Sequence, residues 1–364
     1  MDKKVKDILQ KWLDIEFFYV ANKIGFIDKI VLADQKLVFE TIRCIDRLTY
    51  SGKNNENVNY VITLISLMWT HINRDEYDIR SFIVKVLSRI GYPTSAIIVD
   101  DLFDKEKCVF SPLNSIIDQI TAGINQSRNE VEVKGHYYLL TNFQKQIWDA
   151  MDTKVVLGIS APTSAGKSFV LLLKIVKKII EDKIDVLYIV PTLSLLNQVT
   201  EDFHDLLKKM NLSKCKISNT FTVTEKRDEN YVYVMTQEKA IAAFANEEKA
   251  FSRRMILVAD EIQNIERIRE DKDERSKILF DTLMEFRYKE NVEQIIISGP
   301  RIEEIDTLGE NIFGIETEDI STTISPVLNL TYSICKIDKK YYLKQYCVLN
   351  SEPKSEEIKN IDVI

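Results

Sequence analysis

Side chains that bind metals or form cross-links are scarce in this sequence of 364 residues, which has three histidines and five cysteines. No two cysteines have CxxC spacing and their number is odd, so the sequence indicates neither a zinc site nor a disulfide framework. The histidines are not at ligand spacing, which argues against a histidine-based metal site. This cysteine usage predicts a reducing, cytoplasmic setting.

An excess of basic residues and long apolar runs are also absent. The net charge is −7, so any contact with a phosphate backbone has to come from a local patch. No apolar run is long enough to cross a bilayer, and the first residues lack the apolar core of a signal peptide. With 45% hydrophobic residues the composition is typical of a globular protein, and the length predicts two or three domains.

Residues 1–130 have the pattern of helices. Apolar residues recur at helical spacing in segments 5–17 and 79–90, and segment 60–72 is apolar enough for a buried helix. No catalytic constellation is present, and the aromatic side chains are better explained as core than as a base-stacking platform. We predict an all-α accessory domain here, which docks on the next domain or on a partner protein, with a boundary in the polar segment 127–136.

Residues 131–335 alternate short apolar strands with longer helical segments, which predicts an α/β domain with a parallel sheet flanked by helices. The predicted strands are Val155–Ser160, Val186–Val190, Lys216–Val223, Tyr231–Met235, Met255–Ala259 and Gln294–Ser298. Proline is rare, yet Pro162, Pro191 and Pro300 all follow predicted strand ends, which favours built turns. Ligands of such sheets gather at the carboxyl ends of the strands.

The segment Gly158-Ile-Ser-Ala-Pro-Thr-Ser-Ala-Gly-Lys-Ser168 begins in the last residues of the first of these strands and continues as a loop up to a predicted helix. Strand, Gly-Lys-Ser loop and helix together predict a phosphate-binding loop, because converging backbone N–H groups and the helix dipole attract anions. Gly166 would let the backbone approach phosphate oxygens, Lys167 would reach the β- and γ-phosphates, and Ser168 would offer its hydroxyl to Mg²⁺. Ala161 stands at the first glycine position of this pattern, which leaves a chance small-residue loop as the alternative.

Two acids, Asp260 and Glu261, follow the strand Met255–Ala259. Carboxylates at the end of a buried strand are costly unless a cation meets them, and Mg²⁺ on a bound nucleotide would do so. We assign metal binding to Asp260 and orientation of the attacking water to Glu261, with Lys167 as the third catalytic residue. The alternative is an exposed Asp-Glu turn.

Two other strand ends carry a hydroxyl before a helix start, at Thr192 and at Thr236. Backbone N–H groups and threonine hydroxyls at such positions suit the phosphates of a nucleic-acid strand. Ordinary capping of the following helices is the better explanation of each threonine when it is taken singly.

In this order the segments resemble the motifs of superfamily 2 helicases of the DExD/H-box type, and within them the Ski2-like group. Ala161–Ser168 resembles motif I, Pro191–Gln198 motif Ia, Thr236–Lys239 the next nucleic-acid motif, Asp260–Gln263 motif II, Ser298–Pro300 motif III and Leu140–Gln146 the Q motif. Ser325–Leu328 resembles the segment that closes the first motor domain of that group. The resemblance covers about residues 136–335 and implies a RecA-like P-loop NTPase fold.

The resemblance also implies roles for individual residues, with ATP and Mg²⁺ as cofactors. The implied nucleotide contacts are Phe143, Gln144, Thr163, Ser164, Ala165, Gly166, Lys167 and Ser168, with Gln144 reading adenine, Phe143 beside the base, and Ser168 and Asp260 at the metal. The implied nucleic-acid contacts are Pro191, Thr192, Asn197, Gln198, Thr236, Gln237 and Lys239. Gln263 and Ser298 would couple hydrolysis to movement.

Two motifs depart from the family pattern, since motif II is Asp-Glu-Ile-Gln and motif III is Ser-Gly-Pro. In addition, the family has a second RecA-like domain that supplies arginine fingers. About thirty residues follow position 335, and we expect residues 336–364 to form a linker or tail rather than such a domain, with a strand pair at residues 340–350 and a solvated linker at Ser351–Glu357. We therefore expect weak or no ATPase activity from these 364 residues alone.

Three functions agree with these patterns. The first is the ATP-binding half of a helicase or translocase that acts on DNA or RNA, on a single-stranded segment. The second is a regulatory or scaffold subunit of an antiviral defence complex, which holds a partner such as a nuclease. The third, a P-loop switch ATPase unrelated to nucleic acid, is disfavoured by the segments around Thr192 and Thr236.

Overall fold

The computed structural model describes residues 3–50, 54–72, 79–221, 229–246, 250–263, 265, 274–350 and 352–358. The chain divides into two compact units, one of Met1–Glu130 with Ile324–Ile364 and one of Val131–Thr323. Each unit is described by itself below.

The helical character expected for the N-terminal part is confirmed. Its helices are α1 (Lys3–Lys23), α2 (Gln35–Tyr50), α3 (Asn55–His71), α4 (Arg80–Ile90) and α5 (Ile116–Ser127), with a 3₁₀ helix at Pro93–Val99. Local sequence signals explain their limits. The Asn54 side chain accepts a hydrogen bond from the Asn57 amide at the start of α3, and Gly91, with φ 84°, ends α4. None of the described helices is both long and apolar enough to span a bilayer.

The second unit alternates strands and helices along the chain. Its elements are β1 (Glu130–Val133), β2 (His136–Leu139), α6 (Asn142–Ala150), β3 (Val156–Ser160), α7 (Lys167–Asp182), β4 (Asp185–Val190), α8 (Leu193–Lys209), β5 (Cys215–Ser218), β6 (Asn230–Thr236), α9 (Gln237–Asn246), β7 (Met255–Ala259), α10 (Glu274–Met284), β8 (Val292–Gly299), α11 (Ile305–Phe313) and β9 (Glu318–Ser321). The predicted strand Lys216–Val223 corresponds to β5, and its residues 222–223 lie outside the described residues.

Seven of these strands form one sheet in the order β5-β6-β4-β7-β8-β3-β9, and the pairs given by the structure are all parallel. This confirms the predicted α/β fold of the RecA type. The register aligns the strand ends, since Val190 pairs with Thr236, Ile189 with Ala259, and Ser160 with Gly299. The polar residues that follow these strands therefore share one edge of the sheet.

Both faces of the sheet are covered by apolar side chains, as in other parallel sheets. Along β4, Val186, Tyr188 and Val190 join the core that includes α7 and α8. Leu187 and Ile189 point to the opposite core, which includes residues of α10 and α11. This alternation is the two-residue period of a strand, and it places the Tyr188 side chain in a core layer.

The segment expected to be a linker differs in the structure. An antiparallel sheet of β10 (Leu330–Ile337), β11 (Lys340–Cys347) and β12 (Lys354–Glu357) belongs to the first unit, so that unit is not all-α. The chain leaves the second unit after Thr323, before the expected boundary at 335. The charged residues of this C-terminal segment led to the prediction of a solvated linker. The prediction was wrong because an antiparallel strand needs apolar residues on one face only.

Candidate active site

The loop between β3 and α7 is shaped around Gly166. Its backbone is in the left-handed region, with φ 72° and ψ 33°, which glycine adopts without steric cost. A Cβ atom at this position would lie 2.4 Å from the Gln144 Nε2 atom. Backbone geometry and a neighbouring side chain thus both require glycine where the sequence predicts a close approach to phosphate.

Lys167 begins α7 and is buried, with 3% of its surface exposed. Its Nζ atom donates a hydrogen bond to the Ala161 carbonyl oxygen at 2.7 Å. Burial lowers the pKa of Lys167, and the charges of Asp260 and Glu261 oppose this shift. The structure therefore brings the ammonium group and the two acids into one electrostatic neighbourhood, although they are almost a hundred residues apart in sequence.

Gln144 links helix α6 to this loop. Its Oε1 atom accepts a hydrogen bond from the Thr141 amide at 2.9 Å, which completes a capping box at the start of α6. Its Nε2 atom lies 3.3 Å from both the Ala165 and the Gly166 carbonyl oxygens. Phe143, which the resemblance places beside the base, has its side chain in the apolar core of the second unit.

Asp260 is buried, and its carboxylate accepts three hydrogen bonds from residues that the structure describes. The Tyr188 hydroxyl donates to Oδ2 at 2.9 Å, and the Ser298 hydroxyl and the Glu261 amide donate to Oδ1, the latter at 3.0 Å. Burial and the neighbouring Asp260 raise the pKa of Tyr188 well above its usual value, so its hydroxyl keeps its proton. Asp260 is thus held by side chains from two other strands, β4 and β8.

Glu261 has a left-handed backbone, with φ 57°, and its carboxylate is held by another residue of motif II. The Gln263 Nε2 atom donates to the Glu261 Oε2 atom at 2.9 Å. The Gln263 Oε1 atom is buried and has no hydrogen-bond partner among the described residues. Gln263 therefore bonds the acid two residues before it, while the Ser298 hydroxyl bonds Asp260.

The predicted nucleic-acid residues fall into an exposed and a buried group. Pro191 is partly exposed, and the exposed residues are Thr192, Asn197, Gln198 and Lys239. Thr192 caps α8, since its hydroxyl accepts a hydrogen bond from the Leu195 amide at 3.2 Å. Thr236 and Gln237 are buried, which leaves their side chains little access to a strand.

Sequence reasoning missed Arg275, which joins these two segments. Its Nη2 atom donates to the Pro191 carbonyl oxygen at 2.5 Å, and its Nε atom donates to Glu238 at 2.9 Å. Arg275 lies in α10, 84 residues after Pro191. Without a local motif around Arg275, no sequence signal pointed to this bridge.

The donor set suits magnesium bound through a nucleotide. Among the residues that the structure describes, no group of three or more histidine, cysteine or acidic side chains could hold a metal alone. Mg²⁺ usually takes one or two carboxylates and completes its shell with phosphates and waters. The buried carboxylate of Asp260, near the Lys167 ammonium, and the partly buried Ser168 fit that requirement.

A parallel sheet, a Gly-Lys-Ser loop at a helix start and two acids at a neighbouring strand end define a P-loop NTPase domain of the RecA-like class. Residues 141–299 match the sequence profile of the DEAD/DEAH box helicase family. This match confirms the resemblance of this part of the chain to the first motor domain of superfamily 2 helicases.

Individual proteins show the same similarity over limited lengths. Putative helicase 7 of the Sulfolobus islandicus filamentous virus (isolate Iceland/Hveragerdi) is 32% identical over 228 residues, which is 61% of this chain and 35% of that protein. The chain thus spans about a third of the length of this curated relative. Crystal structures of the DUF1998 helicase MrfA are also similar: bound to DNA (15% identity, 51% of this chain, 28% of that chain, TM-score 0.41) and bound to DNA and AMPPNP (14%, 50%, 27%, 0.39).

Proposed function

We propose that this chain binds ATP with Mg²⁺ at the Gly166 loop and hydrolyses it as the ATP-binding half of a helicase or translocase. One observation carries the proposal: the buried ammonium group of Lys167 shares its surroundings with Asp260 and Glu261 at the carboxyl edge of the sheet. A buried cation beside two carboxylates and a helix N-terminus is an arrangement that a triphosphate and its metal would complete.

Each residue has a distinct part in this proposal. Backbone N–H groups of residues 163–168 bind phosphate oxygens, and Lys167 leaves the Ala161 carbonyl for the β- and γ-phosphates. Ser168 and Asp260 would hold Mg²⁺, and the bound cation would supply positive charge next to the phosphates. Glu261, fixed by Gln263, orients water for in-line attack on the γ-phosphate.

The nucleic-acid strand would lie over the exposed residues that follow β4 and β6. Thr192, Asn197, Gln198 and Lys239 offer hydroxyl, amide and ammonium groups to phosphate oxygens, which would allow movement on DNA or RNA without base readout. Buried Thr236 and Gln237 would shape this surface, and Gln263 and Ser298 would couple it to the nucleotide.

We expect ATP hydrolysis by the 364-residue chain to be slow. The part of the chain that the structure describes contains one RecA-like sheet, whereas the family draws its arginine fingers from a second. Such an arginine is worth about 10³–10⁵ in rate. Robust steady-state turnover by the chain alone, lost on Lys167→Ala, would contradict this expectation.

A regulatory or scaffold role in a defence complex is the second candidate, and one observation favours it. Four isoleucines of α5 are exposed, which suits a protein partner of the first unit: Ile116, Ile117, Ile120 and Ile124. In this case Glu261→Gln would leave the biological effect intact, whereas a motor would lose it.

Equilibrium binding tests the nucleotide site. A fluorescent ATP analogue is titrated against the unaltered chain, Lys167→Ala and a control, Lys177→Ala, which removes a surface pairing with Glu181 on the same helix. We expect about a hundredfold loss of affinity for Lys167→Ala and none for the control. Equal affinity of all three would refute the nucleotide site.

Binding of fluorescent single-stranded DNA and RNA at several salt concentrations tests the other half of the proposal. Affinity should fall steeply with salt, because phosphate contacts release counterions. A chain that binds ATP but neither nucleic acid would instead support the switch ATPase that the sequence disfavours.

A further inference from the structure

Tyr188 is a polar residue in the middle of a strand whose residues are all buried. It lies on β4 with 0% of its surface exposed, and its ring meets the edge of Phe203 at a centroid distance of 6.0 Å. Phenylalanine would fill this space equally well. A tyrosine hydroxyl buried so deeply requires a partner, and here the partner is the Asp260 carboxylate, 2.9 Å away.

The hydrogen bonds of Asp260 show what this contact does. An ionised carboxylate offers about four acceptor sites, two on each oxygen. Ser298 and the Glu261 amide occupy both sites of Oδ1, and Tyr188 occupies one site of Oδ2. Counting donors among the described residues alone, one acceptor site of Asp260 is left, and it belongs to the oxygen that Tyr188 holds.

We propose that Tyr188 is a positioning residue for magnesium, which fixes Asp260 so that a single lone pair of Oδ2 faces the cation or a water bound to it. This inference rests on the proposed ATP and Mg²⁺ site. The hydroxyl acts through Asp260 and touches neither nucleotide nor metal. Partners that orient a metal-binding side chain are typically worth about 10–100-fold in metal affinity.

The chain contains a matched control for loss of a buried tyrosine hydroxyl. Tyr138 is also buried in the core of the second unit, but its hydroxyl has no hydrogen-bond partner among the described residues. Tyr188→Phe and Tyr138→Phe therefore remove the same atom from similar surroundings. They differ in whether that atom bonds the acid assigned to the metal.

The experiment measures the Mg²⁺ dependence of nucleotide binding. A fluorescent ATP analogue is titrated into each chain in EDTA and then at increasing Mg²⁺ concentrations. For Tyr188→Phe we expect unchanged affinity in EDTA and about a tenfold higher Mg²⁺ concentration for half-maximal effect. Tyr138→Phe should match the unaltered chain in both conditions.

The outcomes separate this inference from the proposed function. If Asp260→Asn abolishes the Mg²⁺ effect while Tyr188→Phe leaves it unchanged, the nucleotide site stands and the positioning role is refuted. If the unaltered chain binds no nucleotide, both fall together. Should Tyr188→Phe not fold, a crystal structure of the unaltered chain with Mg²⁺ and a non-hydrolysable ATP analogue decides. A Tyr188 hydroxyl still bonded to Oδ2 supports the inference, and one displaced from it overturns the inference.

Discussion

At the scale of single residues, Gly166 shows how two independent demands select one amino acid. Its left-handed backbone excludes most side chains, and the Gln144 amide occupies the space where a Cβ atom would stand. The same amide nitrogen donates to the carbonyl oxygens of Ala165 and Gly166. These contacts stabilise the loop conformation without a bound phosphate.

Substitution of Gly166 by alanine should destabilise the chain. We expect the free energy of unfolding to fall by about 1–2 kcal/mol, because alanine is strained at this φ angle and meets Gln144. Gly123→Ala is the control, since Gly123 lies inside α5 and, apart from its chain neighbours and the backbone of its own helix, no described atom is within 4 Å of the place its methyl group would take. This variant should gain about 0.5–1 kcal/mol. Denaturant unfolding of both variants measures the difference, and equal midpoints would contradict the prediction.

We expect the buried charge of Lys167 to lower the free energy of unfolding, although ATP binding requires this residue. Its pKa is lowered by burial, so between that value and the unfolded value of 10.5 the unfolded chain binds more protons, and stability rises with pH. Lys167→Met removes the buried charge and should raise the free energy of unfolding at pH 7 by about 1 kcal/mol, while ATP binding is lost.

The advantage of Lys167→Met should shrink as the pH rises towards and past 10.5, because the lysine becomes neutral in both states above that value. Thermal and denaturant unfolding at several pH values measure this trend. A variant less stable than the unaltered chain at pH 7 would show that the attraction of Asp260 and Glu261 outweighs the cost of burial.

Local spacing decided which site residues could be recognised from sequence. Gly166, Lys167 and the Asp260–Glu261 pair belong to short motifs, so their order along the chain was informative. Tyr188 and Arg275 act on groups 72 and 84 residues away, and each looks ordinary among its neighbours. Only the register of β4, β7 and β8 brings Tyr188 and Ser298 to the same carboxylate.

At the scale of elements, the start of α8 has two candidate roles. The Thr192 hydroxyl caps the helix, and it also stands on the exposed surface proposed for a nucleic-acid strand. Both roles use an oxygen as acceptor or donor, so removal of the side chain alone cannot distinguish them.

Thr192→Asp should separate capping from phosphate binding. Aspartate is as good a cap as threonine, so stability should be retained, but its charge should weaken single-strand binding by about tenfold at low salt and less at high salt. Thr192→Ala should instead cost about 1 kcal/mol of stability. Asn54→Asp adds the same charge at the capped start of α3 and should leave strand binding unchanged. Unchanged binding by Thr192→Asp would exclude a strand at this position.

The sheet of the second unit was largely predictable because its strands are continuous apolar runs. β7 coincides with its predicted limits, β3 and β4 differ by one residue at the start, and β6 and β8 extend by one or two residues at both ends. The edge strand β9, with the polar sequence Glu-Asp-Ile-Ser, carries no such run and was missed. β12, with the sequence Lys-Ser-Glu-Glu, was also not predicted, because it has no apolar run and is defined by its backbone pairing with β11.

At the scale of the whole molecule, the first unit is assembled from both ends of the sequence. Leu343 and Ile358, from the C-terminal sheet, join Phe17, Phe18 and Phe26 in one apolar cluster. The second unit, which contains the segment that matches the helicase profile, lies between these two contributions along the chain. The C-terminal residues therefore belong to the core of the unit that the N-terminal residues begin.

Leu343→Ala should destabilise the first unit by about 2–5 kcal/mol, because it removes a buried side chain from this cluster. Hydrogen exchange of the α1 amides should accelerate in parallel. Val348→Ala, just after β11 and 88% exposed, serves as the control and should change neither quantity. Slow exchange in α1 despite Leu343→Ala would show that the helices are stable without the sheet.

The discontinuous make-up of the first unit imposes an order of events during translation. Phe17 and Phe18 leave the ribosome roughly three hundred residues ahead of Leu343, a delay on the order of tens of seconds at ordinary elongation rates. Throughout that interval Phe17 and Phe18 lack their partners Leu343 and Ile358, while the second unit can complete its own sheet. The apolar cluster of the first unit can therefore close only after the second unit has been synthesised.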